Sequence, residues 1–210
     1  MSIILSVLAS FLGFIFYLFF VWKKLKEDYE SSHIFTVSLL TLFGVICGSL
    51  FTHFFIFPQI QNFIPKDFLN LNEAWFWGGV VGFIVAFFIS AGRANFKLSE
   101  TFEPIFVGLL VWSVFLSIAA LDLIIFVIGS VFIMFYFALS STYKKLSWYK
   151  SGKAGFAGLT TAGFLFLARS LLALSNLHMI SFIGKFDAVL SASIAFVIFF
   201  AIYNLAELNK

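Results

Sequence analysis

Charge is what this chain has least of: Asp, Glu, Lys and Arg together make up 11% of its 210 residues, where an ordinary globular domain carries about 25%. A surface facing water on all sides cannot be assembled from so few ionic groups. Cysteine is scarcer still. Cys47 stands alone inside an apolar run, which excludes a disulfide framework, a paired-thiol redox motif and a structural zinc site. Internal repeats, low-complexity tails and linkers are missing as well, so a single domain over 1–210 is the simplest organisation. The first apolar run has no basic stretch ahead of it and no small-residue cleavage site behind it; its lysines follow it instead, and it reads as a retained span.

What the chain has in excess is hydrocarbon. Hydrophobic residues reach 62% and the mean hydropathy is +1.07. A helix in a bilayer satisfies its own backbone and needs about 20 apolar residues per crossing. Seven segments qualify, over 3–22, 34–57, 75–92, 102–121, 123–142, 154–174 and 188–206. The fold class expected is an all-α membrane protein, a seven-transmembrane-helix bundle. The fourth and fifth spans are the doubtful pair, since Asp122 is the only charge between Pro104 and Ser141; the stretch is two crossings or one long kinked excursion, and its length favours two.

The basic residues then set the orientation. Lys23, Lys24, Lys26, Arg93, Lys97, Lys144, Lys145, Lys150, Lys153 and Lys210 fall on one side of a seven-span chain, and only Lys66 and Lys185 on the other. Cytoplasmic loops collect Lys and Arg, which places the N-terminus outside and the C-terminus in the cytoplasm. The net charge of +3 is thereby used in topology, and nucleic acid is excluded as a partner. The outside segment 58–74 mixes prolines and asparagines with apolar residues, as an interfacial segment or an ordinary loop does. The many phenylalanines read as packing and lipid-facing residues rather than a cofactor box, and no cofactor or metal is expected.

Ionisable groups at membrane depth are costly, about 2.5–3.5 kcal/mol each on insertion scales, so each is a functional candidate until a partner is found. Arg169, in the otherwise apolar sixth span, is the best of them. Its guanidinium suits a phosphate or carboxylate; it equally suits an acid on a neighbouring helix or a snorkel to headgroups. Asp122 and Glu103 are the possible acids. Asp122 also fits a turn or N-cap, and Glu103, just before Pro104, fits the first turn of the fourth helix, where the helix dipole favours it. His53, near the outer end of the second span, reads as hydrogen-bonded packing or as a base; His33 and His178 lie at span ends. Gly78, Gly79 and Gly82 in the third span, with Gly155, Gly158 and Gly163 in the sixth, let a helix backbone or a lipid approach closely.

Taken in order, these stretches resemble the bacterial prolipoprotein diacylglyceryl transferases. Leu12, Gly13 and Phe14 precede the basic loop of Lys23, Lys24 and Lys26; Gly44, Val45, Ile46, Cys47, Gly48 and Ser49 are similar to the family's second-span pattern. Phe76, Trp77, Gly78, Gly79, Val80, Val81 and Gly82 resemble its Phe-His-Gly-Gly-x-x-Gly, and Arg93, Phe96, Glu100 and Pro104 its entry into the fourth span. The resemblance implies seven spans in the bacterial cytoplasmic membrane and a role in lipoprotein biogenesis. It implies a phosphatidylglycerol-like phospholipid and lipobox-containing preprolipoproteins as partners. Under it Arg169 holds the lipid phosphate, Gly78, Gly79 and Gly82 let the lipid approach, and Asp122 or His53 stand in as acid–base groups.

The departures from that pattern are chemical. Trp77 replaces the histidine, and an indole donates a hydrogen bond but accepts no proton. The stretch 111–122 lacks the arginine and asparagines of the family's Gly-Arg-x-Gly-Asn signature, and Ala173 stands where a glutamate follows the sixth-span arginine. Positioned proton transfer is worth about 10²–10⁴ in rate, so these losses argue against full activity. Two expectations follow: a divergent diacylglyceryl transferase, or a catalytically inactive lipid- or lipopeptide-binding scaffold or partner subunit. A transporter has less support, because Pro-broken helix pairs and inverted repeats are not found.

Overall fold

The computed structural model describes residues 3–52, 75–120, 123–146, 149, 154–175 and 182–206. Among the described residues there is no strand. The described residues form seven α-helices: α1 (Ile3–Leu25), α2 (Ser31–Phe51), α3 (Trp75–Arg93), α4 (Leu98–Ala120), α5 (Leu123–Thr142), α6 (Phe156–Ser175) and α7 (Phe182–Leu205). The shortest has 19 residues and the longest 24, which at 1.5 Å per residue is about 28–36 Å and matches a hydrocarbon core of about 30 Å. All seven are long and apolar enough to cross a bilayer. The chain is a multi-pass membrane protein.

On either side of residues 121–122, which lie outside the described residues, the chain carries two helices of spanning length, α4 and α5. Several helices start earlier than the apolar pattern indicates, α4 at Leu98 rather than 102 and α7 at Phe182 rather than 188. Their first turns contain charged residues that interrupt hydropathy but not the backbone hydrogen-bond ladder. One consequence corrects the reading of Glu103: the acid in the first turn of α4 is Glu100, and Pro104 lies inside the helix.

Packing divides the chain into two compact units, 1–130 and 131–210, with the boundary inside α5. In a bilayer, lipid is as apolar as leucine, so helices associate by close approach and polar contacts rather than by hydrophobic exclusion. In the first unit, α2 and α3 do this through glycine. Gly44 and Gly48 are four residues apart on α2, as Gly78 and Gly82 are on α3, so each pair lines one face. A Cβ added at Gly48 would run into the Gly78 carbonyl, and one at Gly82 into the Gly44 carbonyl. The backbones are in direct contact there. The α1–α4 pairing instead seats large side chains on small ones. Tyr17 is fully buried over Gly108, where a Cβ would lie 2.7 Å from its ring, and Gly13 faces Phe115 at 2.6 Å on the same measure. The Tyr17 hydroxyl donates to the Ser38 carbonyl of α2 at 2.9 Å. Buried Ser38 and Thr41 donate to the carbonyls of Ile34 and Val37 one turn back, so neither hydroxyl is stranded.

One end of this unit is clasped by its two short connections. The Tyr29 hydroxyl accepts from the Lys97 backbone N–H and donates to Glu100 Oε2, both at 3.2 Å, and its ring lies 4.0 Å from that of Phe96. Lys97 Nζ donates to Glu100 Oε1 at 3.1 Å. Asn95 makes the turn with a φ of 53°, a conformation asparagine tolerates better than most residues. Burial is the main cause pushing the Tyr29 phenol above its ordinary range, with the Glu100 charge adding to it and the Lys97 N–H opposing it. Glu100 in turn holds the Lys97 ammonium above its usual value.

In the second unit, α6 packs on α7. Gly163 meets Phe199, and Phe164 presents its ring edge-on to Phe135 and Phe199 at 5.5 and 5.4 Å. At the other end of this pair Tyr143, Tyr149 and Phe156 cluster with Ile202 and Ala206. Along α5, Val131, Met134 and Phe137 face outward, the exposure expected of side chains solvated by lipid.

Candidate functional site

Arg169 lies in the second half of α6 and Asp187 in the second turn of α7. Their side chains meet: Arg169 Nε donates to Asp187 Oδ1 at 2.9 Å, with the two residues only 4% and 6% exposed. A hydrogen bond between full charges at this length is among the stronger polar contacts in proteins. Two serines complete the cluster. Ser191, one turn after Asp187, donates to the same carboxylate oxygen at 3.4 Å, and Ser170 donates to the Ala188 carbonyl at 2.9 Å. All four residues are buried. Each helix thus contributes one charge and one hydroxyl, and the two charges enter the membrane interior as a neutral unit.

The arrangement sets a guanidinium and a carboxylate of the same chain against each other across α6 and α7. A phosphate-binding arginine offers its fork of N–H donors to an incoming anion; here the Nε edge of that fork is committed to a carboxylate of the same chain. Asp187 accepts from Arg169 Nε and from the Ser191 hydroxyl. No family model, curated protein or solved structure matches this chain. What the site can do is therefore read from its own residues.

The other candidates fall in different places. Asp122 and His53, together with Lys66 and His178, lie outside the described residues. Among the described residues the acid set against Arg169 is Asp187. Gly78, Gly79 and Gly82 are built into the first unit: α2 occupies the space beside Gly78 and Gly82, and a Cβ at Gly79 would lie 2.6 Å from Ser49 Oγ. Their close approach is helix to helix, and the room a lipid would use beside them is taken by α2. Trp77 is half-buried and packs edge-on to Phe76 at 5.5 Å. Among the described residues no three His, Cys, Asp or Glu side chains converge in a way that would hold a metal.

Sequence reasoning missed Asp187, Ser170 and Ser191. The available signal was the scarcity of acids: from Asp122 to the end of α6 the chain has none, and Asp187 is the next.

Proposed function

We propose that this chain is a divergent membrane protein of the diacylglyceryl-transferase type in which the transmembrane scaffold is kept and the transfer chemistry is not. It acts as a lipid- or lipopeptide-binding scaffold or partner subunit in lipoprotein biogenesis. The cytoplasmic membrane, an outside N-terminus and a cytoplasmic C-terminus complete the reading, supported by ten basic residues on one side against two on the other. The motif likeness in the first four spans supports the family. The observation that carries the loss of chemistry is the Arg169–Asp187 pair at 2.9 Å, because it engages the one sixth-span arginine that would hold a lipid phosphate. Trp77 in place of histidine and the missing Gly-Arg-x-Gly-Asn signature point the same way.

The test is incubation of the full chain, reconstituted in phosphatidylglycerol-containing vesicles, with a lipobox peptide. Mass spectrometry then looks for thioether-linked diacylglycerol on the peptide cysteine. The expected result is no product from folded protein, and any turnover above a protein-free control refutes the reading.

A further inference from the structure

A charged side chain opposes the entry of its helix into hydrocarbon, and the cost falls on that helix alone until a partner is present. α6 bears such a cost. Arg169 stands in its second half, and Gly158, Thr160, Thr161, Gly163 and Ser170 thin the apolar content around it, whereas α5 carries no charge along its whole length. α7 meets the same difficulty in its second turn, where Asp187 confines the apolar run to the residues after it. Each helix by itself would have to carry a charge into lipid.

The structure joins the two helices at those positions. Gly163 of α6 meets Phe199 of α7; further along α6, Arg169 Nε donates to Asp187 Oδ1 at 2.9 Å and the Ser170 hydroxyl to the Ala188 carbonyl, also at 2.9 Å. As α6 advances its partner positions on α7 recede, so the two run antiparallel, and in sequence only residues 176–181 separate them. Arg169, Ser170, Asp187 and Ser191 are all buried. A guanidinium and a carboxylate that are paired and hydrogen-bonded enter an apolar medium at much less cost than either does singly.

We propose that α6 and α7 enter the bilayer as one helical hairpin, with the Arg169–Asp187 pair as the device that couples their insertion. α6 does not commit to its crossing on its own hydropathy; it commits when Asp187 arrives on α7. A connection as short as 176–181 keeps the two charges at high effective concentration while this happens. The crossing of the sixth helix is thus decided by a residue of the seventh. This coupling acts during membrane entry, and it stands whether or not the chain binds lipid or transfers diacylglycerol.

The experiment translates the full chain, cell-free, into insertion-competent membrane vesicles and asks on which side each end of α6 lies. Cys47→Ser removes the only native cysteine, and a single reporter thiol is placed at Ser151→Cys or His178→Cys, on either side of α6. A membrane-impermeant maleimide is applied before and after the vesicles are opened. In the otherwise wild-type chain the two positions should label from opposite sides. Asp187→Arg and Arg169→Asp each set like charges against each other, and each should lower the ratio of crossed to uncrossed α6 by about tenfold or more. The exchange Arg169→Asp/Asp187→Arg has the same composition as the wild-type chain and restores the pair, so it should return that ratio to the wild-type value. This readout is the side on which a thiol lies, and a variant that inserts but packs poorly still reports. Single variants that cross as the wild type does overturn the proposal, because α6 then inserts on its own hydropathy. An exchange as deficient as the singles overturns it too, because each helix then answers to its own charge and not to the pair.

Discussion

Breaking the buried pair from either side should cost far more than removing it altogether. Asp187→Leu leaves the Arg169 guanidinium, 4% exposed, without its carboxylate, and Arg169→Leu does the same to Asp187. Stranding one member of a buried pair costs roughly 3–5 kcal/mol. The double variant Arg169→Leu/Asp187→Leu removes both charges and fills the space with hydrocarbon, a replacement that is often neutral or stabilising. The coupling free energy, the shortfall of the double variant from the sum of the singles, should then reach at least about 3 kcal/mol. That value decides the matter, because ordinary interhelical hydrogen bonds in membranes couple by about 0.6 kcal/mol on average and at most about 1.7. Asp187→Asn separates the two contributions, since it keeps an acceptor for Arg169 Nε while removing the charge, and it should fall between wild type and Asp187→Leu. The assay is reversible unfolding of the full chain in mixed detergent micelles, followed by tryptophan fluorescence, with all four corners of the cycle measured under one condition. A coupling below about 1.7 kcal/mol would refute the reasoning, because Arg169 would then be stabilised mainly by something other than Asp187.

Two further outcomes test the first unit. Gly48→Ala drives a Cβ into the Gly78 carbonyl, and that backbone cannot swing aside as a side chain can. The helices must separate, at a cost of about 1–3 kcal/mol, whereas Gly92→Ala on α3 meets open space and should stabilise by up to about 1 kcal/mol; thermal melting compares them. Tyr29→Phe removes the contacts to Lys97 and Glu100 and should lower stability by roughly 0.5–1.5 kcal/mol. Because the Tyr29 phenol is raised in the folded state, the native chain holds its proton where the unfolded chain has lost it. Its contribution is therefore whole below the ordinary tyrosine value of about 10 and is lost as pH rises beyond it. The phenolate absorbance difference between wild type and Tyr29→Phe should appear above that value, and a midpoint at or below it would contradict the burial described.

The seven crossings were legible because hydrocarbon thickness imposes a length on any spanning helix, and apolar runs of that length are separated here by charge. Arg169 was legible for the converse reason: a single cation in an apolar run is too costly to be accidental. Its partner was not, and the cause is specific. Asp187 falls in the second turn of α7, where a carboxylate interrupts the hydropathy that marks a span, so the run reads as starting at 188 and the acid as lying in a loop. The helix continues through it because Arg169 compensates the charge, and the register of α6 against α7 that brings the two together is not encoded in any spacing along the chain. The glycines divide in the same way. Gly78 and Gly82 announce a close approach but not its occupant; that α2 carries Gly44 and Gly48 at the same interval of four was the available clue, since two small faces of equal period are what direct backbone contact needs. Cost arguments about a buried charge are symmetric. The reasoning that marks Arg169 as a candidate ligand site also requires a counter-charge, and an acid at the edge of a neighbouring span should be tried in that role before a phosphate. Here that trial finds Asp187, whose carboxylate engages Arg169 Nε and ties α6 to α7.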